Sequence, residues 1–211
     1  MPFALCDLAL SGRRPALFRD IDRVLIDREA IAARVRAMGA EVAADLQRAI
    51  DRHHDPADAQ VVLIPILTGA LVFTADLIRQ MPMMLCLRVV AVSSYPGKSM
   101  ASKGAKIAGE LPQDLAGKHV VIVDDILDTG QTLAVVKRLI QEQGPASVRI
   151  CVLLRKPESC RKERIDADYS GFDIPDEFVV GYGLDYDGFY RNYPQIAVLR
   201  TATTSALESR A

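Results

Sequence analysis

Apolar residues recur along this chain in two rhythms, and their alternation predicts the architecture. From Asp27 to Asp51, the residues Ile31, Val35, Met38, Val42, Leu46 and Ile50 are spaced by threes and fours. That is the stripe of an amphipathic helix packing on one face of a sheet. Val61–Leu67 is a continuous apolar run of strand length; Thr68-Gly69 breaks it, and a second helical pattern runs over Leu71–Arg79. Leu85–Val92 is again continuous and rich in β-branched residues, and Lys106–Leu111 is a weaker strand candidate. Val120–Val123 and Val148–Leu154 are strong strands, separated by a helix over Thr132–Gln143 that Gly144-Pro145 ends.

Apolar strands alternating with amphipathic helices predict an α/β fold, with a mostly parallel sheet covered on both faces. In such folds ligands gather at the carboxyl ends of the strands. The tail differs, because Phe172–Leu199 is rich in aromatics, glycine and acids and has no long helical pattern. It reads as a small irregular hood, with Thr201–Ala211 expected to be disordered. The whole chain, 1–211, is expected to form a single domain, with a core over about 23–157 and a hood mainly from 158–199 with an N-terminal contribution.

Composition narrows the function classes. The 211 residues are 50% hydrophobic and 25% charged with a formal net charge of -1, so a nucleic-acid coat, which needs a basic excess, is not expected. No run approaches the ~20 apolar residues of a membrane-spanning helix, and no leader pattern opens the chain. The expectation is a cytoplasmic protein. Cys6, Cys86, Cys151 and Cys160 form no CxxC pair; Cys86 and Cys151 lie in apolar runs and are expected to be buried, reduced thiols. His53 and His54, beside Asp51 and Asp55, lack metal-ligand spacing and read as a solvated loop.

The chemistry concentrates in His119–Leu133, H-V-V-I-V-D-D-I-L-D-T-G-Q-T-L. Asp124, Asp125 and Asp128 are expected just past the end of a buried strand, where like charges repel unless a cation or ligand hydroxyls compensate them. From Asp128 to Thr132 the chain offers small residues, a glycine and two threonine hydroxyls, followed at once by a helix. That is the geometry of a phosphate cradle, and acids beside amides suit a ribose 5-phosphate. The plainer alternative is a helix cap at Asp128 or Thr129.

The stretch V-V-I-V-D-D-I-L-D-T-G-Q-T resembles the phosphoribosyl-pyrophosphate motif of the type I phosphoribosyltransferases, four apolar residues before two acids and D-T-G. From about Arg23 to Leu199 the chain is similar to the hypoxanthine (guanine) phosphoribosyltransferases. The supporting stretches are L-T-G-A at Leu67–Ala70, S-S-Y-P-G-K-S at Ser93–Ser99, L-L-R-K-P at Leu153–Pro157 and I-P-D-E-F-V-V-G-Y-G-L-D-Y at Ile174–Tyr186. The last looks like that family's purine hood.

The resemblance implies a magnesium-dependent transfer of phosphoribosyl from phosphoribosyl pyrophosphate to N9 of hypoxanthine, and guanine, in a homodimer or homotetramer. It gives Asp124 and Asp125 the ribose hydroxyls, and Asp128, Thr129, Gly130, Gln131 and Thr132 the 5-phosphate, with Asp128 also the catalytic residue handling the proton at N7. Thr68, Gly69 and Arg191 would bind pyrophosphate; Ser94 and Tyr95 would belong to a lid over Ser93–Ala105. Lys156 would meet the purine's exocyclic oxygen, Phe178 would stack on the base, Val179 would read it through its backbone, and Asp185 would lie beside it. Asp185 is the implied magnesium ligand, with Asp124 and Asp125 as further candidates. Without the family, Gly69 is a turn residue, Lys156 and Arg191 are surface cations, Phe178 and Val179 are core residues, and the lid is a loose hairpin.

Two departures stand out: Thr68 and Gln131 occupy places where relatives commonly carry a basic residue. The charged stretch Glu158–Asp168 matches the family poorly and receives no role. Two rival readings remain from sequence: a regulator that keeps the fold as a ligand sensor, and an acid-rich metal-dependent phosphatase. The second leaves the cradle, lid and hood unexplained.

Overall fold

The computed structural model describes residues 18, 20–52, 60–93, 106–107 and 111–200. Cys6, His53, His54, most of the 93–105 segment including Ser94 and Tyr95, and Thr201–Ala211 lie outside the described residues. The elements run β1 (Ile21–Ile26), α1 (Arg28–Ile50), β2 (Val61–Leu67), α2 (Leu71–Ile78), β3 (Cys86–Leu87), β4 (Val90–Ser93), β5 (Lys106–Ile107) and β6 (His119–Leu127). Then follow α3 (Gln131–Gln141), β7 (Ser147–Arg155), a 3-10 turn at Glu158–Cys160, β8 (Tyr169–Asp173), β9 (Val179–Val180) and β10 (Ile196–Leu199).

The large sheet has the order β5-β4-β2-β6-β7-β8, with β3 also on the edge of β2. All its pairings are parallel except β4 with β5. Its central strands are continuously apolar over Val61–Leu67, Val120–Val123 and Ile150–Leu154 because both faces are covered there. Val61, Leu63, Val121, Val123, Cys151 and Leu153 join α1 and α2 in one core cluster. Val62, Ile64, Val120, Ile122, Ile150 and Val152 join α3 in another. Helix α1 begins where Asp27 accepts from the Ala30 amide at 2.7 Å, and it buries Ile31, Val35, Met38, Val42 and Leu46, the expected stripe.

Chain order reverses between β2 and β6, since β2 leads by α2 to β4 on one side whereas β6 leads by α3 to β7 on the other. Such a switch point opens a crevice at the carboxyl ends of the strands. Here β6 pairs with β2 only as far as Val123 opposite Pro65, but with β7 on to Leu127 opposite Arg155. Asp124 and Asp125 therefore sit on the strand itself, not past its end as the sequence suggested. The last pairings of β2 are with β4, at Ile66 and Leu67.

Three other expectations are corrected. The run Leu85–Val92 is two short strands with a break at Arg88-Val89, and Cys86 is exposed on that edge. A ladder of two residues on an uncovered edge leaves both of its side chains in solvent. Cys151, in a central strand, is buried. The large sheet also continues past residue 157, because β8 adds to β7 through Tyr169–Asp173. The polar alternation of β8 hides it among the tail residues.

The remaining tail folds with the N-terminal end into a small antiparallel sheet, β1-β10-β9. Its own core is Ile21, Val180, Ala197 and Leu199 with Phe18, Tyr186, Tyr190 and Tyr193 around it. Among the described residues, Val179, Tyr182, Leu184 and Ile196 of this hood join the core cluster of α1 and α2, and two further contacts lie beside the crevice. The Tyr182 hydroxyl donates to Asp76 of α2 at 2.6 Å. Gly183, at φ +106°, lies so close to the Thr68-Gly69 loop that a Cβ there would meet the Gly69 carbonyl oxygen at 2.3 Å.

Gly183→Ala is expected to lower the melting temperature by several degrees. A side chain in that backbone region costs about 1–3 kcal/mol, and each kcal/mol shifts a domain of this size by about 2–4 °C. Thermal unfolding followed by circular dichroism checks it; an unchanged melting temperature would mean the hood does not press on the loop.

Candidate active site

The crevice is a cavity of about 520 Å³ walled by Thr68 and Gly69 after β2, by Asp124, Asp125, Asp128, Thr129, Gly130 and Thr132 around the end of β6, and by Asp185 and Arg191 from the hood. Ten residues singled out from sequence thus meet in one place. Gln131 begins α3 outside that wall. A larger open hollow, about 990 Å³, lies between Arg155 and Ile174, but it contains none of the phosphate-loop residues. Of its cations, Arg155 pairs with Asp173 at 2.7 Å and with Asp166 at 3.4 Å.

Two adjacent carboxylates form the floor. Asp124 is 7% exposed, and burial pushes it well above the usual carboxylate range, with the Asp125 charge pushing further. Burial also raises Asp125, but less, because the Asp124 side chain, the Ile126 amide and the Arg191 charge all favour its ionised form. Asp125 keeps part of its surface open to the cavity, consistent with the smaller rise. A Cβ on Gly69 would sit 1.8 Å from Asp125 Oδ2, so only glycine lets the loop cross the carboxylate. Close backbone approach is thus required there, beyond the demands of a turn.

From the hood, Arg191 Nη2 pairs with Asp185 Oδ1 at 2.7 Å while Nη1 donates to the Gly183 carbonyl at 2.6 Å. The Gly188 amide donates to Asp185 Oδ2 at 2.7 Å. Asp124, Asp125 and Asp185 are hard oxygen donors facing one cavity, and a buried acidic pair held above its usual range is one that positive charge or hydroxyl donors would relieve. This donor set fits magnesium, which binds through one or two carboxylates while keeping water and substrate oxygens. Among the described residues, Asp128, Cys160 and Asp176 are the one group of three or more His, Cys, Asp or Glu whose ligand atoms all lie within 4.8 Å of one another. An ion among Asp124, Asp125 and Asp185 would therefore take one or two of them directly and reach the rest through water or substrate oxygens. Lys156 already supplies a cation to both Asp128 and Asp176.

Lys156 follows β7, its side chain only 11% exposed, with Nζ 3.6 Å from Asp128 Oδ1 and 3.0 Å from Asp176 Oδ1. Burial alone would lower its pKa; the Asp176 hydrogen bond and the Asp128 charge override this and hold the ammonium above its ordinary value. In turn that bond holds Asp176 below the usual carboxylate range. Phe178 is 38% exposed and edge-on to Tyr186, with ring centroids 5.5 Å apart, while Val179 is buried in β9. Neither they nor Lys156 walls the 520 Å³ cavity. Sequence reasoning missed Asp176, exposed but bonded to Lys156, and Arg161, whose side chain is only 9% exposed; both sit in or beside charged stretches where nothing in the local pattern separates a bonded side chain from a solvated one.

Asp124→Asn is expected to raise the melting temperature of the ligand-free protein at neutral pH, by about 2–4 °C for each kcal/mol of buried charge relieved. The sign follows from the raised folded-state pKa: the Asp124 penalty is absent below the unfolded value of about 3.8 and grows as pH rises through the folded value. The gap between the two proteins should therefore widen upward from pH ~4. A pH series of thermal melts checks it, and a less stable variant at neutral pH would refute the buried-charge account.

Comparison with known proteins agrees with this geometry. The sequence model of the phosphoribosyl transferase domain matches residues 34–187. The hypoxanthine-guanine phosphoribosyltransferase of Mycobacterium avium is 40% identical over 183 residues, covering 85% of this chain and 86% of that one. Its counterpart in Bacillus subtilis is 40% identical over 183 residues, covering 87% and 96%. A solved structure of a Trypanosoma cruzi hypoxanthine phosphoribosyltransferase mutant, complexed with the product IMP, is 32% identical with a TM-score of 0.80, covering 92% of this chain and 99% of that one. By family match, identity and fold, the chain belongs to the phosphoribosyltransferases, in their hypoxanthine-guanine branch.

Proposed function

We propose that this protein is a cytoplasmic, magnesium-dependent purine-salvage transferase, working as a homodimer or homotetramer. It moves 5-phosphoribosyl from phosphoribosyl pyrophosphate to N9 of hypoxanthine, and of guanine, giving IMP or GMP and pyrophosphate. The observation that carries the base assignment is the placement of Lys156 Nζ 3.6 Å from Asp128 Oδ1, at the rim of the sugar-phosphate cavity. A 6-oxopurine presents O6 and N7 side by side on one edge, whereas adenine presents an amino donor in place of O6. An ammonium beside a carboxylate suits the first edge and opposes the second.

In the reaction the N9–C1 bond forms and the C1–oxygen bond to pyrophosphate breaks, through a sugar that carries positive charge. Asp124 and Asp125 accept hydrogen bonds from the ribose hydroxyls, which offsets their own repulsion. The Asp128–Thr132 loop and the start of α3 hold the 5-phosphate. Asp128 takes the proton that the base loses at N7, and Lys156 stabilises the negative charge that gathers on O6. Phe178 stacks on the base and the Val179 backbone reads it. Gly69, Thr68 and Arg191 hold the pyrophosphate end, where the Arg191 guanidinium already stands beside Asp185. Magnesium, held by Asp185 with Asp124 and Asp125 as further donors, would neutralise charge on the departing pyrophosphate. Of the two rivals, the phosphatase is disfavoured by the family match across the whole catalytic region, and the sensor by the high identity to enzymes.

Steady-state assays with phosphoribosyl pyrophosphate and magnesium against hypoxanthine, guanine, xanthine and adenine test this directly. Turnover of hypoxanthine and guanine with rejection of adenine is expected, and turnover of none of the four would sink the reading. Lys156→Ala should lower kcat/KM for hypoxanthine by about 10-fold to 100-fold, the loss of a charge-assisted hydrogen bond, with a much smaller change in KM for phosphoribosyl pyrophosphate. Unchanged kinetics in that variant would remove Lys156 from the base site.

A further inference from the structure

The segment that sequence left without a role, Glu158–Asp168, clasps the back of the phosphate loop. Arg161 is the centre of the clasp: its side chain is 9% exposed, and Nη1 donates to the Leu127 carbonyl at 3.1 Å and the Asp128 carbonyl at 2.9 Å. The next carbonyl, of Thr129, accepts from the Lys162 amide at 2.9 Å. Three successive peptide groups are thus held with their oxygens to the rear. In a planar trans peptide the N–H points opposite to the C=O, so these groups turn the amides of Asp128, Thr129 and Gly130 toward the cavity.

We infer that Arg161 is a positioning residue for the 5-phosphate, acting through the Leu127–Asp128 and Asp128–Thr129 peptide groups without touching the ligand. The inference rests on the transferase reading above. A cation on a peptide oxygen polarises the whole amide, which makes the N–H on the far side a stronger donor; hydrogen bonds in such a chain strengthen one another. The positive charge is only loosely matched, because Asp166, its acidic neighbour, is 4.0 Å away and also faces Arg155 at 3.4 Å. Gln131 brings no charge to the front of this loop, so the cation behind it supplies positive potential through the backbone.

The test compares IMP with inosine, which differs only in lacking the phosphate, by isothermal titration calorimetry on the full chain. Arg161→Gln is expected to weaken IMP about tenfold or more, the scale of a charge-assisted bond, while inosine changes little, and Arg161→Lys should recover most of the loss. The phosphorus resonance of bound IMP should also titrate at higher pH in Arg161→Gln than in the unsubstituted protein, a change that a merely structural role would not produce. An IMP-to-inosine ratio unchanged by Arg161→Gln, whether both ligands weaken together or neither does, overturns the inference. Should Arg161→Gln fail to fold, Asp166→Asn at the exposed end of the pair decides: IMP should tighten about twofold relative to inosine, and an unaltered ratio overturns it. Unsubstituted protein that binds no IMP would instead sink the transferase reading, a result distinct from either.

Discussion

Two like charges buried side by side at the end of a central strand are the constraint around which the rest of the site is arranged. Asp124 and Asp125 occupy the point where β6 has left β2 but still pairs with β7, so their backbone is fixed while their side chains face an open crevice. Burial raises both of them above the usual carboxylate range. Each neighbour then has a physical reason to be what it is. The loop after β2 crosses Asp125 at a glycine because nothing larger fits. Arg191 projects from the hood to a place where its charge favours the ionised Asp125. On the proposed reading, hydrogen bonds from ribose hydroxyls would relieve the repulsion between these two acids.

The hood and the clasp solve complementary problems of backbone orientation. Turning amides into a cavity forces the opposite carbonyls into the protein, where each needs a donor or carries the cost of an unpaired polar group. Behind the phosphate loop the donors are Arg161 and the amide of Lys162. On the other side of the crevice, the Gly183 carbonyl accepts from Arg191, and the Gly183 amide donates to the Arg191 carbonyl at 3.0 Å. The same arginine therefore shapes the hood and pairs with Asp185.

Much of this was legible in the sequence because it rests on local pattern. Strands covered on both faces read as unbroken apolar runs, so β2 and the centres of β6 and β7 stood out, and the D-D-x-x-D-T-G stretch lay where the crevice opens. What depends on partners was not legible. The end of β6 is set by β7, four residues beyond the last apolar run that marks it, since Val123 closes that run and Leu127 ends the strand. The break at Arg88-Val89 and the exposure of Cys86 come from an edge left uncovered, which composition does not encode. Strand β8 alternates polar and apolar residues because only part of it meets the core, and so it merged with the tail. Arg161 shares its stretch with Arg164, Lys162 and Glu163, and only three-dimensional packing distinguishes the one that turns inward.

The base edge shows how the same economy of charge extends to specificity. Lys156 is shared between Asp128 and Asp176, at 3.6 and 3.0 Å, and both acids favour its charged form. On the proposed reading, an entering 6-oxopurine would offer O6 to that ammonium and its N7–H to Asp128, replacing part of an ion pair with hydrogen bonds while Asp176 keeps Lys156 paired. On the same reading adenine would have to set an amino donor against a cation, leaving that amino group without a partner in a site only 11% open at the lysine. Unpaired buried donors are costly, whereas a well-matched acceptor gains only modestly. On the proposed reading, discrimination would come mainly from the penalty on the wrong base, with the Asp176 pair opposing a simple swing of the lysine away from it.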